Sequence, residues 1–138
     1  TDSEASQTDI LRHLGVPQER VRAIALAAGQ QYTPHGDDQA VRQKYDLPPA
    51  FALYLGGYDI RKNVQTLLKA YTYVRDGAGA EFPLVLAGRP PQKRSARFTE
   101  VEHLIDAMNI RDAVRAIGWV DEVDKPALYR LLRVPVAL

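Results

Sequence analysis

The segment LYLGGYDIRKNVQTLLKAY, residues 53–71, decides the fold. Its first residues close an apolar run, Phe51 to Leu55, of the kind buried on both faces of a parallel sheet. Gly56 and Gly57 come next, and a few residues later Arg61 and Lys62 stand side by side. Val64, Leu67, Leu68, Tyr71 and Val74 then recur at i, i+3, i+4 and i+7, the stripe of an amphipathic helix. A buried strand therefore turns into a helix that should start near Lys62-Asn63. Glycines at such a turn permit φ > 0 and close approach of a ligand to the backbone. The first N–H groups of a helix are unpaired and its start carries about half a positive charge. With two cations added, the turn reads as a site for a phosphate or diphosphate. The same residues also read as a plain turn with two solvated cations, and spacing alone does not separate the two. Neither the dinucleotide G-x-G-x-x-G spacing nor a P-loop is present.

The pattern repeats downstream. FPLVLAG, residues 82–88, reads as a second buried strand and VRAIGWV, 114–120, as a third. Residues 99–109, TEVEHLIDAMN, read as a helix with a Thr99–Glu102 capping box and a stripe of Val101, Leu104, Ile105 and Met108. DEVDKPALYRLL, 121–132, reads as a helix capped by Asp124, with Pro126 tolerated in its first turn. VPVAL, 134–138, begins a fourth apolar segment. DGAGAE, 76–81, and the basic RPPQKRSAR, 89–97, are expected loops. Alternating apolar strands and amphipathic helices predict an α/β fold, a Rossmann-like parallel sheet with flanking helices. Ligands of such sheets sit at the carboxyl ends of the strands. That singles out Gly56-Gly57, Gly88-Arg89 and Gly118-Trp119-Val120.

Upstream the pattern is less regular. Residues 3–15 read as a helix capped by Ser3 or Ser6 and ended by Gly15. VRAIAL, 21–26, reads as a short buried strand. AAGQQYTPHGDD is rich in Gly, Pro and Asp and reads as a linker. DQAVRQKYDL reads as a brief helix capped by Asp37 or Asp38 and stopped before Pro48-Pro49.

Bulk composition narrows the function classes. The chain has 138 residues, 46% hydrophobic and 25% charged, with a formal net charge of +1 and no cysteine. The near-neutral balance gives no bulk case for nucleic acid. The absence of cysteine excludes disulfides and thiol catalysis and fits a reducing, cytoplasmic setting. No apolar run approaches the ~20 residues of a spanning helix. The polar, acidic N-terminus is no signal peptide, and without an initiator Met the chain is expected to begin inside a longer one. His13, His35 and His103 lack metal-ligand spacing, so no metal is expected. Asp121, Glu122 and Asp124 could form an acid–base cluster, but a polar loop with a helix cap is the simpler reading. Ser95 has no nucleophile-elbow context.

The ordered set of these elements resembles the group 1 glycosyltransferases, which are retaining enzymes of GT-B fold. LYLGGYDIRKNVQTLLKAY is similar to the start of their nucleotide-binding domain, PLVLAG to its second strand and VRAIGWVDEVDKPALYRLL to its later strand and helix. SEASQTDILRHLGVPQERVRAIALAAGQQYTP is similar to the family's link between domains. The resemblance implies three parts. Residues 1–33 would be the tail of the N-terminal acceptor domain and the interdomain strand. Residues 34–50 would be a linker with a short helix. Residues 51–138 would be the first half of the donor domain, truncated.

It further implies a hexosyltransferase, with mannosyltransferase among the options. Such an enzyme would move a sugar from a UDP- or GDP-sugar to a glycan or lipid-linked acceptor with retention, without a cofactor. Gly56, Gly57, Arg61 and Lys62 would hold the donor diphosphate, with Lys62 stabilising the leaving group. Many members carry a basic residue where Gly57 stands, which leaves Arg61 as its substitute. Gly88, Gly118, Trp119 and Val120 would border the nucleotide, although Trp119 reads more readily as core than as a stacking surface. The family's Glu-x7-Glu motif would lie beyond Leu138, so no catalytic residue is assigned and the chain alone is expected to be inactive. Lys93, Arg94 and Arg97 could touch an anionic headgroup, which would give the full-length protein a peripheral membrane contact, but a solvated loop is the default reading. The alternative of a different class is a non-catalytic nucleotide- or phosphate-binding module.

Overall fold

The computed structural model describes residues 1–78, 81–91 and 95–136. They form two compact units, Thr1–Tyr32 and Thr33–Leu138.

In the first unit, α1 spans Glu4–Leu14. The Ser3 hydroxyl accepts the Ser6 N–H at 3.1 Å, and Gly15 ends the helix at φ 60°, a left-handed position that costs glycine nothing. Ser3→Ala should therefore lower the stability of this unit by about 1 kcal/mol, read from its thermal unfolding by circular dichroism. The expected strand at 21–26 does not form. Ile24 is 66% and Leu26 84% exposed, and the segment pairs only with Thr1, whose amino group donates to the Arg22 carbonyl at 3.1 Å and whose carbonyl accepts the Ile24 N–H at 2.9 Å, among the described backbone bonds. An apolar run becomes a strand only against a partner strand, and among the described residues of this unit the backbone pairing stops at the single residue Thr1.

In the second unit four parallel strands form one sheet: β1 Ala52–Leu55, β2 Leu84–Ala87, β3 Val114–Gly118 and β4 Val134–Val136. Their order is β3-β2-β1-β4. The period-2 alternation splits β1 and β2 between two cores. Ala52, Tyr54, Leu84, Leu86 and Val114 face one of them. That face is covered by α3, Val64–Ala78, through Val64, Leu67, Leu68 and Tyr71, and by α4, Val101–Ala107, through Val101 and Ile105. Phe51, Leu53, Val85, Ala87 and Val120 face the other core. There α2, Gln39–Lys44, contributes Val41, and α5, Lys125–Leu131, contributes Leu128 and Leu131. The fold expected from the sequence is the fold observed.

Several local expectations shift. Val74, placed on the buried stripe, is 39% exposed. α3 runs on to Ala78, so Asp76 and Gly77 are helical rather than loop. One glycine near a helix end costs only about 1 kcal/mol, which the rest of the helix outweighs. Gly79, Ala80, Gln92 to Arg94, Ala137 and Leu138 lie outside the described residues, and with them part of both expected loops and the end of the fourth apolar segment. The Thr99–Glu102 capping box is not formed. The Thr99 N–H is committed to the Tyr58 carbonyl at 2.8 Å, α4 begins two residues later, and Glu102 pairs with Arg111 at 3.1 Å. Asp38 precedes α2 but does not cap it. Its carboxylate takes the Arg130 guanidinium at 2.5 and 3.0 Å, while Asp37 accepts the Gln39 N–H at 3.1 Å. Arg130 also donates to the Thr33 carbonyl at 3.2 Å, so the start of the expected linker is tied to α5.

Candidate functional site

The carboxyl ends of β1, β2 and β3 converge through their glycines. The Gly56 N–H donates to the Ala87 carbonyl at 2.9 Å and the Gly88 N–H to the Gly118 carbonyl at 2.8 Å, which extends the ladder past each strand. A Cβ at Gly88 would overlap the Gly56 carbonyl oxygen and lie 3.3 Å from the Tyr58 ring, so this glycine is required by close approach. Between β2 and β3 the register jumps from Leu86↔Ala116 to Ala87↔Gly118, leaving Ile117 as an extra residue. Gly118 takes φ 74° there. A bulge of this kind turns the strand end and re-aims the next side chain.

That side chain is Trp119. It is 50% exposed, not core. Two cations lie over its indole, the Arg89 guanidinium 4.6 Å and the Lys125 ammonium 5.6 Å from the ring centroid. These three residues line a cavity of about 300 Å³ with Gly56, Gly57, Gly88 and Val120. A neighbouring cavity of about 370 Å³ shares Gly56 and opens between β1 and β4. Lys62, Tyr129 and Val136 line it. This is where the strand order reverses, the place at which open α/β sheets bind ligands. Gly88 and Gly118 also border a third cavity of about 410 Å³ on the other face, beside Tyr58, Val101 and His103.

The Gly56-Gly57 turn is supported from below. The Tyr54 hydroxyl donates to the Gly57 carbonyl at 2.7 Å, and a Cβ at Gly56 would come within 2.9 Å of that hydroxyl oxygen. Neither glycine has positive φ, and only Gly56 is tight within the fold, a Cβ at Gly57 meeting nothing within 4 Å. The Tyr54 and Tyr58 rings stack at 6.5 Å. Burial pushes Tyr58 up to about 12, with Tyr54 and Glu102 adding to the effect, so the phenol is neutral and wall-like at physiological pH.

The expected helix start is built differently. α3 begins at Val64. The N–H groups of Arg61, Lys62 and Asn63 are taken by the Asp59 carboxylate at 3.0 Å, the Asp59 carbonyl at 2.8 Å and the Ile60 carbonyl at 3.1 Å. These backbone donors are therefore not offered to an anion. Arg61 folds back on Asp59, Nε to Oδ1 2.8 Å, with its side chain 87% exposed, and lines neither cavity at the sheet edge. That pairing holds the Asp59 carboxyl below its usual range. Among the described residues, the cations lining the cavities at the strand ends are thus Lys62, Arg89 and Lys125. Of these, the sequence pattern assigns a role to Lys62 alone. Arg89 stands out only by its position after a strand, and Lys125 hides as the residue before Pro126.

The acidic turn after β3 is fully ion-paired. Lys44 Nζ lies 2.7 Å from both Asp121 and Asp124, and Glu122 pairs with Lys125. No free acid–base group results, and Asp124 leads into α5 without capping it. Lys44 first, then the Tyr45 hydroxyl, hold the Asp124 carboxyl below its ordinary value. A depressed carboxyl favours the folded arrangement above the ordinary carboxylate range and loses that contribution as pH falls through the lowered value. The emission of Trp119, the single tryptophan, should therefore stay flat from neutrality to about pH 4 and change below. A change already complete near pH 6 would contradict the pairing.

A family model described as "Glycosyl transferases group 1" matches residues 37–138. The chain belongs to the group 1 glycosyltransferases. An O-antigen chain mannosyltransferase B of Escherichia coli is 30% identical over 136 residues, 96% of this chain and 35% of that protein. The serotype-specific mannosyltransferase WbdA of Escherichia coli is 24% identical over 136 residues, 96% of this chain and 16% of that protein. This group 1 chain therefore spans about a third or less of the curated relatives it matches. Among solved structures, the sucrose-phosphate synthase of Thermosynechococcus elongatus aligns with TM-score 0.77 at 24% identity, covering 99% of this chain and 33% of that one. Anabaena HepE in complex with UDP and glucose aligns with TM-score 0.73 at 17% identity, covering 99% and 36%. These neighbours share the GT-B glycosyltransferase fold. Among the described residues no helix is long and apolar enough to cross a membrane.

Proposed function

We propose that the chain is the donor-binding part of a glycosyltransferase that moves a hexose, mannose in the first instance, from a nucleotide sugar to a glycan acceptor with retention. The observation that carries this reading is the meeting of Lys62, Arg89 and Lys125 with glycine-cleared strand ends at the sheet's switch point, in a group 1 chain. Within it, residues 1–33 belong to the acceptor-domain tail and interdomain strand, 34–50 to the link, and 51–138 to the donor domain.

The chemistry rests on charge. Breaking the bond between sugar and diphosphate leaves negative charge on the leaving nucleoside diphosphate. Fixed cations stabilise that charge most where it develops, without a metal. Lys62 faces the diphosphate above Gly56 and Gly57, while Gly88, Gly118, Trp119 and Val120 border the nucleoside. Relatives named as mannosyltransferases support the sugar assignment, and a fold neighbour holding UDP supports a nucleotide donor. On this reading the acceptor of the full-length protein is a glycan or a lipid-linked sugar, met on the cytoplasmic side with peripheral membrane contact, and a relative named for O-antigen chains supports a glycan.

The test is titration of the chain with UDP, GDP and ADP, monitored by calorimetry and by Trp119 emission. Saturable binding of one of them, with a change in emission, supports the reading and names the base. No binding by a folded chain overturns it. The chain alone should bind donor without transferring sugar. Transfer at a rate comparable to a full-length relative would refute that part.

A further inference from the structure

Lys44 and Tyr45 stand at the end of α2, far in sequence from the strand ends, yet they hold the turn that shapes the cavity. The Tyr45 hydroxyl accepts the Asp121 N–H at 3.2 Å and donates to Asp124 Oδ2 at 2.7 Å. Lys44 Nζ bridges the carboxylates of the same two residues. Asp121 comes directly after Val120, which lines the cavity, and Asp124 precedes Lys125, whose ammonium sits over Trp119. One hydroxyl and one ammonium therefore fix both ends of a four-residue turn, with Trp119 just before it and Lys125 just after. Burial raises the Tyr45 phenol above its usual value, so it keeps the proton it donates.

We propose that Tyr45 is a positioning residue whose hydroxyl sets the placement of Trp119 and Lys125 at the cavity. Its importance for binding rests on the donor-binding reading above, while its hold on Trp119 does not. A role limited to joining α2 to its neighbours is already filled by Val41 and Leu47 in the core and by Asp38 on Arg130 of α5. The hydroxyl is spent on the turn alone.

Tyr45→Phe keeps the ring in the core and removes only that hydroxyl. Two readouts are needed: acrylamide quenching of Trp119 without nucleotide, and the affinity for UDP or GDP, whichever the unaltered chain binds. Quenching should rise, and nucleotide affinity should fall about fivefold, the worth of one net hydrogen bond. Lys44→Gln, on an exposed side chain, is the second variant and should shift quenching the same way, so that a folding failure of the first leaves the test intact. Unchanged quenching in a folded Tyr45→Phe chain, or in Lys44→Gln if the first does not fold, overturns the proposal. Altered quenching in a chain that binds no nucleotide upholds the hold on Trp119 and overturns the donor-binding reading instead.

Discussion

Gly88→Ala should destabilise the Thr33–Leu138 unit by about 3 kcal/mol, the upper end of what overpacking costs. The added methyl would overlap the Gly56 carbonyl oxygen and sit 3.2 Å from its carbonyl carbon. Both partners are backbone, so no side chain can swing aside. Nor can either strand end retreat cheaply, because Gly56 donates to Ala87 at 2.9 Å and Gly88 to Gly118 at 2.8 Å. Relief would break a ladder bond at the point where β1, β2 and β3 meet, beneath the cavity floor. Chemical denaturation reads the effect. A midpoint equal to that of the unaltered chain would show that the strand ends are looser than their hydrogen bonds imply. Gly57→Ala is the control, since nothing lies within 4 Å of a Cβ there, and it should leave the midpoint nearly unchanged.

Lys62→Ala should weaken nucleoside diphosphate binding by about 2 kcal/mol, roughly thirtyfold, as expected for loss of one charge-assisted contact. Lys62 lines the cavity between β1 and β4 beside Gly56. Arg61, its neighbour in sequence, is committed to Asp59 and lines neither cavity. Arg61→Ala should therefore change affinity less than about twofold, within the range of exposed ion pairs. Calorimetry on the pair of variants separates the two cations that the sequence sets side by side. Equal losses would mean that Arg61 leaves Asp59 when ligand arrives, and that the diphosphate is held by a two-cation clamp.

The contrast between Arg61 and Lys62 also shows what a sequence can and cannot reveal. The two central strands, β1 and β2, were legible because they are apolar throughout, and α3 because its stripe keeps the helical period over three turns. Asp59 two residues before Arg61 was a local signal and could have been used. Other features depend on partners distant in the chain. Val21 to Leu26 look like any buried strand until the absence of a ladder is known. Trp119 looks like core until the bulge at Ile117 turns it outward, under Arg89 and Lys125. Lys44 meets Asp121 and Asp124 across 77 and 80 residues, a distance over which no periodicity carries information.

The strand order has a consequence for the order of assembly. β1 pairs with β2, whose first residue comes about 30 positions later, but its other edge waits for β4, Ala52 opposite Val134. Pairings of large sequence separation are reached late, because the loop must close before the contact repays it. The β1-β2-β3 half and its tryptophan-walled cavity can therefore form while the last part of the chain is still unstructured. The cavity that Lys62 lines appears only when β4 docks, so the two neighbouring cavities mature in sequence, with the one between β1 and β4 last.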